Sequence, residues 1–287
     1  MEDKKHGKKI RNIQEFINKL PPLIEKSRNG IFYRGQSDTD YKLIPSVFRG
    51  GVKGKEQKIY LKVLAECSIE FDKNIRHIDI ISKMQHYGVP TRLLDVTTNA
   101  LVALYFACDD KNNHNKDGCV YIFTPQDKDI KQFDSDTVSI LSSLPRFNDK
   151  DKNLLLKNAK DYSSCNDIDS DIEGFNNKDT VKRLLHEVKK ENPAFENIIN
   201  PNHLLQNYFI IPKKDNPRII RQSGAFIIYG LKGKEIKPHD EIIIPKDSKE
   251  NILRQLKCFG ISKATLHPEL YKFAEYINDC ISNNIDF

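Results

Sequence analysis

No stretch of about 18 apolar residues occurs in this chain, tryptophan is absent, and methionine occurs only twice. The first absence excludes a membrane-spanning helix. The lack of tryptophan, beside abundant lysine and asparagine, reflects codon bias more than function. The charged start Met-Glu-Asp-Lys-Lys-His-Gly-Lys-Lys has no apolar h-region, so a secretory signal is not expected. Six cysteines, at 67, 108, 119, 165, 258 and 280, form no CxxC pair and no zinc-ligand spacing. Most fall within apolar patterns, which predicts reduced, buried thiols in a cytoplasmic protein. Also missing are the GxxxxGKS phosphate loop, GxGxxG after a strand, the GxSxG elbow and HExxH. P-loop NTPase, Rossmann dehydrogenase, α/β-hydrolase and zincin chemistries are therefore poor readings of this chain. No carboxylates cluster in a manner suited to Mg²⁺, which speaks against a nuclease, and no metal is expected.

The chain has 287 residues, enough for one large domain or two small ones. Its net charge of +6 permits a polyanionic partner without requiring one. The basic cluster Lys4, Lys5, Lys8, Lys9 and Arg11 reads as a solvated surface.

Apolar periodicity predicts helices over 9–27, over 55–73, and through Ile80, Ile81 and Met84 up to Gly88-Val89-Pro90. A further helix after Thr98 is apolar nearly all round and should be buried. Strands are expected at 30–34, 118–124, 207–212, 224–230 and 241–245. A helix near Thr180–Lys190 carries His186 and Glu187. Asp247-x-x-Glu250 has the form of a capping box for a helix over 248–258, closed by Gly260, and Pro268 opens a final helix. Residues from about 128 to 180 read as a polar, irregular and mobile surface insertion. Helices come first and strands mostly late, which predicts an α+β fold with a mainly antiparallel sheet and helices packed around it. The expected division is an N-terminal helical segment, 1–29, and a main domain, 30–287.

The densest polar cluster is Arg92-Leu-Leu-Asp95-Val-Thr97-Thr98-Asn99, directly ahead of the apolar helix. Two readings stand: a polar pocket at a helix N-terminus, or a turn with a capped helix. In Phe32-Tyr33-Arg34-Gly35, the guanidinium suits paired hydrogen bonds to phosphate or carboxylate, and the glycine admits close backbone approach. The alternative is a buried Arg34 pairing with Asp95 to hold the fold. In Arg218-Ile-Ile-Arg-Gln222-Ser-Gly-Ala-Phe, Gln222 is either a site residue or a satisfied amide at a sheet margin. His86 is similarly ambiguous. His186 and Glu187 point about 100° apart on a helix and read as structural.

The segments Phe-Tyr-Arg-Gly (32–35), His-Tyr-Gly-Val-Pro-Thr-Arg-Leu-Leu-Asp (86–95), Asn-Ala-Leu-Val-Ala-Leu-Tyr-Phe-Ala (99–107) and Arg-Gln-Ser-Gly-Ala-Phe (221–226) closely resemble the FRG domain family. The likeness spans about 30–280, with Val96 where members often carry tryptophan and His267 where phenylalanine is common. A more distant likeness is to NAD-dependent ADP-ribosyltransferases, and it implies an ADP-ribosyltransferase-like fold with NAD as substrate. On that likeness Arg34 and Gly35 hold NAD, while Thr97, Thr98 and Asn99 form the scaffold that seats nicotinamide. Arg92 or Asp95 line the pocket, and Gln222 occupies the place of a catalytic glutamate. Gln222 brings a hydrogen bond but no charge, which leaves Asp95 or Glu187 to supply one. The implied target is nucleic acid or protein, in a toxin or phage-defence effector with an antitoxin partner. The alternative function is a non-catalytic module that binds a nucleotide or phosphate ligand.

Overall fold

The computed structural model describes residues 8–20, 30–71, 75–110, 113–163 and 168–269, with side chains of 168–171 excepted. The expectations for 21–29 and for the final helix from Leu270 onward lie outside the described residues.

The first helix, α1 (Ile13–Lys19), follows a two-residue strand β1 (Lys8–Lys9) and is capped by Asn12, whose side chain accepts from the Glu15 amide. Next come β2 (Phe32–Gln36), α2 (Glu56–Glu66) and α3 (His77–His86). The cluster after Gly88-Val89-Pro90 forms a strand, β3 (Leu93–Thr97), and the apolar helix α4 (Ala100–Cys108) follows it at once. β4 (Gly118–Phe123) and β5 (Ile130–Gln132) lead into α5 (Asp136–Ser143), α6 (Asp149–Ser163), α7 (Ile168–Asn176) and α8 (Asp179–Glu191). The chain closes through α9 (Pro201–Leu205), β6 (Tyr208–Ile211), α10 (Pro217–Arg221), β7 (Gly224–Ile228), β8 (Asp240–Ile244), α11 (Lys249–Cys258) and α12 (Lys263–Leu266).

The eight strands form one sheet in the order β1-β8-β4-β2-β3-β7-β6-β5. Its central pairings are antiparallel, and the outermost pair at each edge is parallel. The fold is thus mixed α/β around a large, mainly antiparallel sheet. One sheet face, which includes Tyr33, Leu93, Val120, Ile122, Phe226, Ile228 and Ile242, is covered by helices on both halves. The other face, with Phe32, Leu94, Val96, Tyr121 and Ile227, packs against Leu43 and its neighbours.

The reading of 128–180 as an irregular surface insertion is overturned. Val138, Ile140, Leu141, Leu144, Phe147, Leu155, Ala159 and Phe175 are all buried in the core that covers β3, β6 and β7. The serines that made α5 look polar are themselves buried, and Ser142 and Ser143 donate to the Ser139 carbonyl. Other local expectations also change. The segment Pro217–Arg221, just ahead of the strand expected at 224–230, is a helical turn. At α11 the Asp247-Glu250 capping box does not form, because Lys246–Ser248 makes a 3₁₀ turn and Ser248 makes no side-chain cap. Cys108 and Cys119 are buried, and burial pushes both thiols up to about 12. Cys67 and Cys258, by contrast, are exposed.

Candidate functional site

The site begins with a split in the sheet. β2 pairs along its whole length with β4, and β3 along its whole length with β7. Between themselves β2 and β3 share only the register pair Tyr33↔Thr97. Beyond that pair the strands part, and inner-edge backbone groups lose their ladder partners, a cost unless something else bonds them. Arg34 does so: its Nη1 donates to the Asp95 carbonyl at 2.5 Å. Beside this split, helix α4 packs closely on β2. A Cβ on Gly35 would lie 1.8 Å from the Ala103 carbonyl oxygen, so the helix backbone lies directly on the strand. The glycine of the Phe-Tyr-Arg-Gly motif thus admits the helix backbone, and it also lines the cavity described next.

The split opens into a cavity of about 320 Å³, at the lower end of the range for small-molecule sites. Arg34, Gly35, Asp95, Thr97 and Gln222 all line it, together with Tyr41, Arg49, Phe106, Asp109 and Arg218. Residues far apart in sequence thus line one cavity. Successive strand side chains alternate between faces, so Arg34 and Asp95 enter the cavity from opposite sides of the sheet. A larger groove of about 750 Å³ lies between α7 and α8, away from all of these residues. The cavity in the sheet split is where the chemistry-bearing groups meet.

Arg34 is half-buried. Burial lowers its pKa, the Asp95 charge opposes that shift, and the nearby Arg49 guanidinium adds to it. The Asp95 carboxylate is exposed and accepts from Gln85 Nε2 at 2.7 Å; Gln85 in turn accepts from Thr91 Oγ1. Gln222 caps α10 and donates from Nε2 to the Leu266 carbonyl at 3.0 Å. Below it, Arg218 donates to the His86 carbonyl, and His86 Nε2 lies 2.9 Å from Glu269 Oε1. Burial lowers the His86 pKa and Arg218 adds to that, against the charges of Glu269 and Asp95. A small pocket lined by Gln85, His86, Asp95, Arg218 and Gln222 adjoins the main cavity.

The other members of the polar cluster serve the fold. Arg92 is fully buried and forms a two-point ion pair with Glu56, Nε to Oε1 at 2.8 Å and Nη2 to Oε2 at 2.5 Å. Its Nη1 donates to the Tyr229 carbonyl, and Lys152 Nζ joins Glu56 Oε2 at 2.6 Å. Burial alone would raise the Glu56 carboxyl, but Arg92 and Lys152 outweigh it and hold it below its ordinary value. Arg92 is therefore not a pocket residue, because its charge is consumed in joining β3 to α2 and α6. Asn99 caps α4 by accepting from the Leu101 and Val102 amides. Thr97 Oγ1 accepts from the Asn99 amide and donates to the Gln222 carbonyl at 2.7 Å. Thr98 is exposed and bonds the Ser223 carbonyl through its amide and hydroxyl. Ser223, at φ 46°, takes up the left-handed turn that brings Gln222 to this point. Both readings of the cluster thus apply in part: Asp95 and Thr97 line the cavity, while Arg92, Thr98 and Asn99 do not.

Glu187 is elsewhere, paired with Arg146 and Lys190, and His186 beside it is exposed. Val96 is buried and His267 packs edge-on to Phe106, so both departures from the family pattern sit in packing positions. Sequence reasoning missed Arg49, Tyr41, Asp109 and Asp110, none of which stands in a recognisable motif. Among the described residues no group of three or more His, Cys, Asp or Glu could hold a metal ion, and no helix is long and apolar enough to cross a membrane.

No curated protein and no solved structure matches this chain. A family model does match, over residues 29–116, a stretch that runs from β2 through α4 and contains Arg34, Arg49, Asp95 and Thr97. Gln222 and Arg218 lie beyond it. The strand split, with its guanidinium and carboxylate, thus lies within residues 29–116, the stretch that matches the FRG domain model.

Proposed function

We propose that the cavity binds NAD and cleaves its bond between nicotinamide and ribose, as an ADP-ribosyltransferase-like enzyme does. The observation that carries this reading is the meeting of Arg34, Asp95, Thr97 and Gln222 in one cavity. Arg34, which also bonds the Asp95 carbonyl, anchors the pyrophosphate through its guanidinium. Asp95 takes the role that Gln222 lacks the charge to fill. As the C1′–N bond breaks, its electron pair leaves with nicotinamide and the ribose becomes an oxocarbenium-like cation. A carboxylate about 4 Å from that cation contributes roughly 4 kcal/mol at an effective dielectric near 20. Water or an acceptor hydroxyl, amine or carboxylate then adds to C1′, a protonated nucleophile giving up its proton. Gln222 orients the ribose hydroxyls, and Thr97 holds the turn that places Gln222.

The non-catalytic module is the second reading. It is favoured by the existing bonds of Asp95 to Gln85 and of Gln222 to Leu266, since both groups are already engaged. Incubating the pure protein with NAD and measuring free nicotinamide tests the choice. Release by the wild type and its loss in a folded Arg34→Ala variant support the enzyme. Tight ADP-ribose binding with NAD left intact supports the module.

A further inference from the structure

Arg49 precedes a 3₁₀ turn in the connection from β2 to α2, carries no sequence motif, and reaches the same cavity as Arg34. Its Nε and Nη2 both donate to the Ile44 carbonyl, at 2.9 and 2.6 Å. A guanidinium has five N–H groups in one plane, so this pair of hydrogen bonds to a single oxygen fixes the plane and leaves three donors over. Among the described residues Arg49 forms no ion pair, and its partner is a neutral carbonyl, so its charge is not compensated. Arg34 is held in the same manner, by a main-chain oxygen. Arg34 and Arg49 line one cavity, and the positive charge of Arg49 disfavours that of Arg34, which is a cost. An anion with a charge for each offsets that cost. The carboxylates of the cavity do not do this for Arg49. Asp95 enters from the other face with Gln85, Asp109 accepts from the Tyr105 hydroxyl, and Asp110 accepts from Ser37 and Asn113.

We propose that Arg49 is the second phosphate-binding residue of the cavity and makes it selective for a diphosphate over a monophosphate, with Arg34 on one phosphoryl group and Arg49 on the next. This rests on the nucleotide-binding half of the reading above and not on the cleavage step. Tyr41, exposed on the same connection and lining the cavity, offers a ring face to the attached nucleoside.

Calorimetric titration of the full chain with ADP-ribose, ADP and AMP tests the assignment. The wild type should bind ADP and ADP-ribose at least about tenfold more tightly than AMP. Arg49→Gln should weaken ADP about tenfold and AMP less than threefold, which collapses the preference, while the melting temperature stays unchanged. Arg49→Lys keeps the charge without the planar fork and should fall between, and it serves as the test variant if the glutamine form does not fold. Equal affinity of the wild type for ADP and AMP, no binding of either, or an equal loss of both in Arg49→Gln overturns the proposal. A clear ADP preference without nicotinamide release defeats only the enzymatic reading. Nicotinamide release without that preference defeats only this one.

Discussion

Arg34 donates to the main-chain oxygen of Asp95, while the Asp95 carboxylate projects to the opposite side of the sheet and is held by Gln85. One residue of β3 thereby serves twice, its backbone fixing the guanidinium and its side chain facing the cavity. The split between β2 and β3 makes this geometry available, because a continuous ladder would have used that carbonyl. Position and chemistry at this site are therefore coupled through two adjacent strands.

The close approach of α4 to β2 can be tested at Gly35. Gly35→Ala would drive a methyl group into the Ala103 carbonyl and Ala107 amide, both rigid helix backbone. The expected destabilisation lies at or above the upper end of the usual 1–3 kcal/mol for overpacking, roughly 3 kcal/mol. Urea denaturation should register that shift, and ADP-ribose binding should fall with it. An alanine variant of wild-type stability would contradict the close approach of α4.

Arg92 should behave as a stability residue. Arg92→Ala leaves Glu56 buried beside Lys152 with half its pairing gone, and one-sided removal of a buried pair costs about 3–5 kcal/mol. Arg34→Ala, at a half-buried position, should cost far less while abolishing ligand binding. Melting curves of the two variants, read beside ADP-ribose binding, separate the roles. The contrast fails if Arg92→Ala melts like the wild type.

A pH dependence should come from His77. Its Nδ1 shares a 2.8 Å hydrogen bond with the Tyr60 hydroxyl, and burial, then Arg146, lowers its pKa to about 4, with Glu187 opposing and Lys190 adding. The folded state thus binds fewer protons at His77 than the unfolded state, whose pKa is near 6.5. This contribution to stability is complete above about pH 6.5 and is lost as pH falls toward 4, up to about 3 kcal/mol in all. Glu191, which accepts from the His77 amide and whose pKa burial raises, works in the opposite direction. Comparing the wild type with His77→Asn isolates the histidine: the variant should lose less stability between pH 7 and pH 4.5.

The sequence made legible what repeats locally. β2, α3, α4, β4 and the late strands follow from apolar periodicity and from Gly88-Val89-Pro90. Arg34 stood out because an arginine and a glycine at a strand end have a specific chemical use. What stayed hidden depends on contacts between distant positions. Glu56 and Lys152, which claim Arg92, lie 36 and 60 residues away from it in the chain. Gly35 looked like a place for a ligand because nothing local shows that α4 lies upon it. The core role of residues 138–159 was masked by buried serines bonded within their own helix and by the lysine-rich face of α6. Arg49 carried no signal at all, since a lone arginine after a polar connection reads as surface.

The most direct test is nicotinamide release from NAD by Asp95→Asn beside the wild type, with ADP-ribose affinity measured on the same samples. If the Asp95 carboxylate supports the developing cation, its neutralisation should slow release about 10²–10³-fold while ADP-ribose affinity changes less than threefold. Release by the asparagine variant at the wild-type rate, or no release by the wild type, would contradict the account.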